Sequence, residues 1–300
     1  MIEPIGVEKK SIVTSLGRMV YYTPTKKPWQ ESETENKEAL PTMVFFHGFG
    51  GGSSAYEWSK VYPAFASDYR ILAPDLIGWG RSEHPEKNYC PEDYIKTIIE
   101  FIEATCVGPV PVVASSLTAA FTIRAAIERP ELFQCLILTT PAGLSDFGED
   151  YTKSFFVQLV STPILDRILY STGIATAGGI MNFLQTRQFA KPERVYSEIV
   201  QAYLESAQQP NAEYAALSFV RGDLCFDLSK YITQLTTPTA IIWGKKSAFT
   251  GPEIGKRLAA MNPNAIKIFQ EIEDVGLTPQ LELPGVTIGL IQKFLKLLKE

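Results

Sequence analysis

Short apolar runs alternate with segments of helical period along this 300-residue chain, and this alternation restricts the folds open to it. The apolar runs are bounded by Gly, Pro or Asp and are rich in β-branched and aromatic residues, as buried strands are. The segments Pro91 to Thr105 and Leu117 to Arg129 have helical spacing. The pattern predicts an α/β fold whose sheet is doubly wound, mostly parallel and covered by helices. The predicted strands are Thr42 to Phe46, Arg70 to Ala73, Pro111 to Ala114, Cys135 to Thr139, Ala240 to Trp243 and Ala265 to Phe269.

The two ends of the chain predict further elements of the same sheet. Strands near Lys10 to Thr14 and Arg18 to Tyr22 are joined by Ser15-Leu-Gly17, which predicts an antiparallel hairpin at the sheet edge. The polar run from Lys26 to Ala39 predicts a loop. Apolar residues at helical spacing from Val286 to Lys299 predict an amphipathic helix that packs on the sheet.

The stretch from Ala142 to Leu235 breaks the alternation, because only helical patterns stand out in it. We therefore predict a core domain formed by residues 1–141 and 236–300, with residues 142–235 inserted as a helical cap. A cap over the carboxyl ends of the strands would enclose an apolar cavity, since ligands of open α/β sheets bind there. Packing within the cap explains its Phe, Leu and Met content equally well. The helical patterns are Ser154 to Leu159, Pro163 to Tyr170 and Pro192 to Ser206.

Composition excludes several classes of protein. The formal net charge is -5 and the Lys and Arg residues are scattered, so no nucleic-acid partner is expected. Four widely spaced cysteines without a CxxC pair predict reduced, buried thiols and neither a zinc site nor a disulfide framework. Nothing in the sequence predicts a metal or another cofactor. No window has the roughly 18 apolar residues of a membrane span, and no leader pattern begins the chain, so a cytoplasmic location is expected.

Two short motifs follow predicted strands and point to a reactive centre. Ser116 lies in Pro111-Val-Val-Ala-Ser-Ser116-Leu-Thr-Ala-Ala120, where a strand runs into a helix start of small residues. This arrangement presents a side chain on a strained turn at the top of a sheet. His47-Gly-Phe-Gly-Gly51 is a glycine-rich turn that is able to point backbone N–H groups at the same place. A simple tight turn accounts for the second motif as well.

Taken together, these motifs resemble the α/β-hydrolase superfamily, particularly its capped esterase, lipase and epoxide-hydrolase-like branch. The resemblance also draws on Asp75-Leu-Ile-Gly-Trp-Gly-Arg-Ser82, on the strand ending Trp243-Gly244 and on the segment from Glu273 to Pro284. It implies that Ser116 stands at the nucleophile position and that the N–H groups of Phe49 and Leu117 form the oxyanion hole. Other residues implied near the pocket are His47, Gly48, Ser115, Thr140 and Phe249.

The chain departs from the family pattern at the two residues that would activate the serine. Ser247 stands where the family has its aspartate, and Leu277 stands where it has its histidine. Thr139 and Thr140, at the other strand end that supplies an acid in some members, offer no carboxylate, although Asp146 is close in sequence. Without a base, a serine hydroxyl is a weak nucleophile.

The turn around Ser116 also departs from the family's GxSxG, because Ala114 and Thr118 replace both glycines. A methyl group and a β-branched side chain crowd a turn that glycine normally relieves. Of these two changes, Thr118 is expected to be the harsher.

Other side chains are weaker candidates for the missing base. Lys245 or Lys246 would have to be desolvated to be neutral near pH 7. Glu273 and Asp274 would need a raised pKa. The resemblance implies that His47 supports its loop without deprotonating the serine.

The charged neighbours of His84 predict a surface residue. Neither histidine is therefore expected to replace the missing one.

Three functions follow from the sequence. The first is a noncatalytic or very weakly active protein that binds an apolar small molecule or a partner. The second is a hydrolase of ester-like substrates, esters or thioesters, in which Ser116 works with an unusual base. The third is a structural or assembly protein that contacts a protein partner through its surface.

Overall fold

An eight-stranded sheet runs through the computed structural model, which describes residues 4–29, 40–148 and 165–299. Its spatial order is β1-β2-β4-β3-β5-β6-β7-β8. The first hairpin and the β2–β4 pair are antiparallel, and the remaining neighbours are parallel. This topology confirms the predicted α/β sheet. The strands are β1 (Val7–Thr14), β2 (Gly17–Pro24), β3 (Thr42–Phe46), β4 (Arg70–Pro74), β5 (Val110–Ser115), β6 (Phe133–Thr139), β7 (Thr239–Gly244) and β8 (Ile266–Ile272).

Helices cover the sheet at nearly the predicted positions. The first begins at Pro91, where the Asp93 carboxylate accepts a 3.0 Å hydrogen bond from the Cys90 N–H and so satisfies a donor at the helix start. The second begins at Ser116, directly after β5. The α-helices are α1 (Pro91–Thr105), α2 (Ser116–Glu128), α3 (Leu165–Leu169), α4 (Ala177–Phe183), α5 (Ser197–Ala207), α6 (Ala212–Arg221), α7 (Pro252–Met261), α8 (Pro279–Glu282) and α9 (Pro284–Leu297).

Two apolar clusters occupy the two faces of the sheet. One contains buried side chains of α1 and α2 together with residues of the segment between β6 and β7. The other contains Trp58, Phe65 and the α9 residues Ile291 and Phe294. The central strand β5 is buried along its whole length, because helices cover it on both sides. Burial on both faces fixes the position of its carboxyl end, where Ser116 follows.

The described part of the segment between β6 and β7, residues 140–148 and 165–238, contains α3 to α6 and adds no strand to the sheet. Its α5 helix contacts the loop after β3: the Cα of Gly52, at φ 96°, lies so close to the Tyr203 carbonyl that a Cβ there would stand 2.1 Å from the oxygen. Only glycine fits this contact. The predicted helix Ser154 to Leu159 and residues 30–39 of the predicted loop lie outside the described residues.

Two expectations about the surface need correction. All four cysteines are free, but only Cys135 is buried, whereas Cys90 is exposed and the other two are half-buried. His84 is half-buried and its Nε2 lies 3.2 Å from the Gly80 carbonyl, so it is less exposed than a residue on the open surface. Among the helices of the described ranges, none has the length and apolar character to cross a bilayer.

Candidate functional site

Ser116 lies at the carboxyl end of the central strand, in a backbone conformation that is unusual for a serine. Its φ is 56°, in the left-handed region, and it is both the first residue of α2 and the residue after β5. Holding a non-glycine residue there costs about 1–3 kcal/mol, which the packed strand and helix supply. The residue is 8% exposed, and among the described residues its hydroxyl has no hydrogen-bond partner. The strained turn therefore presents an unactivated hydroxyl.

The flanking residues Ala114 and Thr118 fit this turn without opening it. Both are completely buried. The Thr118 carbonyl accepts a 2.8 Å hydrogen bond from the Thr122 hydroxyl, while the Thr118 hydroxyl has no partner in the described part of the chain. The crowding expected from Thr118 thus leaves a buried, unpaired hydroxyl beside Ser116, at a cost of about 1–3 kcal/mol.

His47 fixes the loop that follows β3. Its Nδ1 lies 2.7 Å from the Gly48 carbonyl, and its Nε2 accepts a 3.0 Å hydrogen bond from the Leu76 N–H. These partners require a neutral ring with its proton on Nδ1. Burial lowers the pKa of His47 to about 4. Both ring nitrogens are hydrogen-bonded to backbone groups, so the ring is not a base for Ser116.

The loop held by His47 lies against the serine turn. A Cβ placed on Gly48 would stand 3.4 Å from both the Ser115 Oγ and the Ser116 Cβ. The next residue, Phe49, packs its ring against Trp79, Tyr94 and Phe121 at centroid distances of 5.0, 4.8 and 5.6 Å. The predicted oxyanion donors, the N–H groups of Phe49 and Leu117, thus belong to two segments in contact, and their role stays a prediction.

No carboxylate stands at the two strand ends where an acid is expected. Ser247 donates its N–H to the Gly244 carbonyl at 3.1 Å, and its buried hydroxyl has no partner in the described residues. Thr140, at φ 48°, donates its N–H to Ile242 at 2.8 Å and has a similarly unpaired hydroxyl. Asp146 accepts hydrogen bonds from the N–H groups of Gly143 and Leu228, at 2.9 and 2.8 Å. Asp146 therefore stabilises its own loop through these hydrogen bonds.

Leu277 is held firmly at the position where the base is expected. Its side chain is 4% exposed, and its N–H donates a 2.8 Å hydrogen bond to the Gln188 carbonyl. The preceding N–H, that of Gly276, donates to the Glu282 carboxylate at 2.6 Å. An aliphatic side chain neither accepts nor donates a proton. The loop has a defined position but carries no base.

Glu282 connects this loop to the segment between β6 and β7, a role that the sequence did not reveal. Its other oxygen accepts from the Ala190 N–H at 3.0 Å and pairs with Arg194 at 3.1 Å. Burial raises the pKa of Glu282, while these hydrogen bonds oppose the rise. The Glu282 side chain is fully buried, whereas the Arg194 side chain is 19% exposed, so the pair is only partly shielded from water.

The substitute bases considered from the sequence lie elsewhere. Lys245 and Lys246 are exposed, and Lys245 pairs with Glu273, whose hydrogen bond raises the lysine pKa. Asp274 is exposed and pairs with Lys191 at 3.1 Å, which lowers the pKa of Asp274. A serine–lysine pair needs a neutral, desolvated lysine, and a carboxylate base needs a raised pKa. The pKa of Lys245 is raised and that of Asp274 is lowered, so both pKa values move away from what a base for Ser116 requires.

Glu57 is a further buried carboxylate at the site, and the sequence analysis did not identify it. Its Oε2 accepts from the Gly48 N–H at 2.8 Å, and its Oε1 accepts from the Tyr203 hydroxyl at 2.9 Å. Burial raises the pKa of this carboxyl, and its hydrogen bonds act in the opposite direction. In the sequence, Glu57 follows Ala55-Tyr56 and precedes Trp58, and no pattern marks it as buried.

Two aromatic side chains meet near the acid position. Phe249, which follows Ser247 by two residues, contacts Phe183 of α4 at a centroid distance of 6.1 Å. Phe183 also approaches Gly50, where a Cβ would lie 3.2 Å from its ring. Phe183 therefore lies between the glycine-rich loop after β3 and the loop after β7, which makes this edge of the site apolar.

A separate cavity of about 570 Å³ opens between the β1–β2 hairpin and the end of α5. Lys9, Arg18, Arg81 and Glu205 contribute to its lining. It contains none of the strand-end residues described above. Its charged lining differs from the apolar cavity predicted over the strand ends.

Comparison with known proteins matches this architecture to one family. A family model described as alpha/beta hydrolase fold matches residues 41–282. An uncharacterized hydrolase, YugF, of Bacillus subtilis is 28% identical over 83% of this chain and 85% of its own. The karrikin insensitive 2 receptor IA of Petunia hybrida is 24% identical over 83% and 88%.

Solved structures show the same fold at lower identity. The epoxide hydrolase CorEH superposes with a TM-score of 0.76 at 19% identity, covering 97% of this chain and 99% of its own. A putative lipase of Acinetobacter baumannii gives a TM-score of 0.72 at 21% identity, covering 98% of this chain and 92% of its own. Together with the family match, these likenesses confirm the fold that the motifs implied.

Proposed function

We propose, from the premise that this chain belongs to the α/β-hydrolase-fold family, that it is a noncatalytic member whose strand-end site binds an apolar small molecule. The observation that carries the proposal is the fixed, buried Leu277 at the base position. Losing a whole triad leaves only about 10³- to 10⁴-fold acceleration over water in serine proteases. A site without an acid and a base is therefore expected to hydrolyse an ester only slowly.

Binding by this site is supported by its surroundings. Phe183 and Phe249 supply apolar surface, and Ser116 keeps a small exposed fraction at the strand ends. One relative carries the name of a receptor, which shows that the family includes members named for recognition. The proposal includes the division into a core of residues 1–141 and 236–300 and a cap of residues 142–235, and a cytoplasmic location.

The test compares the protein with its Ser116→Ala variant. Both are treated with a fluorophosphonate probe and assayed on short and medium acyl esters, while binding of Nile red, a neutral apolar dye, is followed by fluorescence. We expect no serine-dependent labelling or turnover, together with saturable dye binding by both proteins. Labelling and turnover that disappear with Ser116 would overturn the noncatalytic proposal, and absence of saturable dye binding would overturn the apolar site.

A serine hydrolase with an unusual base is the second candidate, and the conformation of Ser116 favours it. The left-handed φ of 56° is strained for a serine, and such strain is concentrated at functional sites. Glu57 is a buried carboxyl whose Oε2 accepts from the Gly48 N–H next to the serine turn, and burial raises its pKa, as a carboxylate base for a serine requires. Ser116-dependent ester turnover in the assay above would establish this candidate, and its pH dependence would then identify the base.

A further inference from the structure

The cavity between the β1–β2 hairpin and the end of α5 has an excess of positive charge, although the chain as a whole is acidic. Its lining contains three cationic side chains, Lys9, Arg18 and Arg81, against one carboxylate, that of Glu205. The formal net charge of the chain is -5. With a volume of about 570 Å³, the cavity is in the size range of small-molecule sites. A concave surface with an excess of positive charge attracts anions.

The hairpin directs two of these cations into the cavity from one face. Val20 of β2 is paired with Ser11 of β1. Lys9 lies two residues before Ser11, and Arg18 lies two residues before Val20. Paired residues, and residues two apart along a strand, point to the same face of a sheet. Lys9 and Arg18 therefore reach the cavity on either side of Val20, which also lines it.

No carboxylate neutralises Lys9 or Arg18 within the described residues. Both side chains are exposed, and neither forms a hydrogen bond or an ion pair there. Glu83 accepts a 2.9 Å hydrogen bond from the Arg18 N–H but does not pair with the guanidinium. By contrast Lys10, which points to the opposite face of the hairpin, pairs with Glu8 at 3.9 Å. The two cations that face the cavity thus remain open to an anion from solution.

Arg81 stands where the two walls of the cavity meet. The preceding residue, Gly80, donates its N–H to the Ser206 Oγ of α5 at 3.0 Å. The following residue, Ser82, accepts a 2.8 Å hydrogen bond from the Val20 N–H of β2. These bonds tie the turn that carries Arg81 to the helix on one side and to the hairpin on the other. The walls are therefore held before a ligand arrives, which lowers the cost of ordering them on binding.

The distribution of charge favours an anion with more than one negative group. Arg81 lies within electrostatic range of two carboxylates, Asp75 and Glu205, so the excess of positive charge comes from Lys9 and Arg18. A single charged group placed at one of these two cations leaves the other unmatched. The guanidinium donors of arginine fit the oxygens of both phosphate and carboxylate groups.

We propose that this cavity binds a small polyanion that carries phosphate or carboxylate groups, with Lys9 and Arg18 as its main charge partners. The cavity contains none of the strand-end residues, so the inference goes beyond the proposed function and does not depend on it. No covalent step is involved.

The experiment titrates the unaltered protein with pyrophosphate, citrate and acetate at low ionic strength, followed by calorimetry. We expect saturable binding of pyrophosphate or citrate with a Kd below about 1 mM, and binding of acetate at least about fivefold weaker. The tighter of the two polyanions identifies the preferred group. Sodium chloride at about 150 mM should weaken the binding, because the Debye length falls to about 8 Å. Failure of both polyanions to bind would overturn the proposal.

Two variants change the charge of the lining in opposite directions. Arg18→Gln should weaken the binding of the tighter polyanion by about fivefold, since it removes one of the two unmatched cations. Glu205→Gln should strengthen that binding by about threefold, because it removes the carboxylate of the lining. An unchanged Kd in both variants would place the anion elsewhere and contradict the site.

Lys10→Gln is the matched control. It removes the same amount of charge as Arg18→Gln from the same hairpin, but from the face that points away from the cavity. This variant should leave the Kd within about twofold of the unaltered protein. Equal losses in Lys10→Gln and Arg18→Gln would mean that the anion responds to the net charge of the protein alone, which would overturn the assignment to this cavity.

Discussion

The two halves of the strand-end site differ in what they present, although both are held in place by hydrogen bonds. In the first half, the loops after β3 and β5 present the Gly48 backbone and the strained Ser116. In the second half, the loops after β7 and β8 present Ser247 and Leu277. His47 fixes the first half, and Glu282 fixes the second. The first half thus holds a hydroxyl on a strained turn, whereas the side chains at positions 247 and 277 offer neither a carboxylate nor an imidazole.

The largest expected effect comes from restoring the second half. Ser247→Asp combined with Leu277→His places an acid and a base on loops that already have defined positions. We expect ester hydrolysis to rise by about 10²-fold or more in kcat/KM, because general base catalysis alone contributes at least that much. The rise is measured with short acyl esters.

The matched control for this restoration adds Ser116→Ala to the double variant and should abolish the gain. An unchanged rate in the double variant would mean that the first half, through Glu57 or Thr118, is itself unfit for the reaction.

A second prediction concerns what holds the second half. Glu282→Gln removes the charge partner of the half-buried Arg194, so the free energy of unfolding should fall by about 2 kcal/mol. Urea unfolding measures the change. Hydrogen exchange should accelerate at Gly276 and Leu277 but not at Gly48.

Glu273→Gln, which alters the exposed pair with Lys245, serves as control and should leave the urea midpoint unchanged. Equal acceleration of exchange in both halves would show that they are not held separately.

The smallest expected effects are those of pH on the free energy of unfolding. They have opposite signs at His47 and at Asp146, which follows β6. The fold lowers the pKa of His47 from 6.5 to about 4, so stability falls as pH drops through that interval. It raises the pKa of Asp146 from 3.8 to about 6, so stability falls as pH rises through that interval. Alone, each shift corresponds to at most about 3 to 3.5 kcal/mol, but the two oppose each other over nearly the same interval, so their net effect on the unaltered protein is small.

Urea midpoints of His47→Asn and Asp146→Asn, each compared with the unaltered protein between about pH 4 and pH 7, check these signs. The stability advantage over His47→Asn should shrink toward low pH, and that over Asp146→Asn should shrink toward high pH. Parallel slopes would contradict the burial that we assign to the two groups.

The fold could be predicted from the sequence because each of its strands and helices leaves a local pattern. The apolar runs from Thr42 to Phe46 and from Cys135 to Thr139 became strands over those spans or slightly longer ones, and Pro91 to Thr105 is a helix with the predicted bounds. A buried parallel strand and an amphipathic helix each leave a periodic pattern in their own residues. The hairpin was equally local, although its strands extend to Val7 and Pro24.

Residues of the candidate site could be predicted from the sequence only where a motif marks them. Ser116, Ser247 and Leu277 were predicted as site residues from their positions after strands and in family-like runs, and their roles stay predictions. Glu57 and Glu282 were missed because their roles depend on contacts with residues about 90 to 150 positions away, such as Tyr203 and Arg194. An isolated glutamate is normally exposed, so burial of either one has no signal in a single sequence.

The hydrogen bond from the Leu277 N–H to the Gln188 carbonyl is made by main-chain atoms alone. Every residue except proline has that N–H, so the place of this loop does not depend on which side chain it displays. A residue substituted at position 277 therefore has to fit the volume and polarity of its surroundings, but any residue except proline keeps this main-chain hydrogen bond. Such a position is able to lose or regain a chemical role through single amino-acid changes while the protein around it continues to fold.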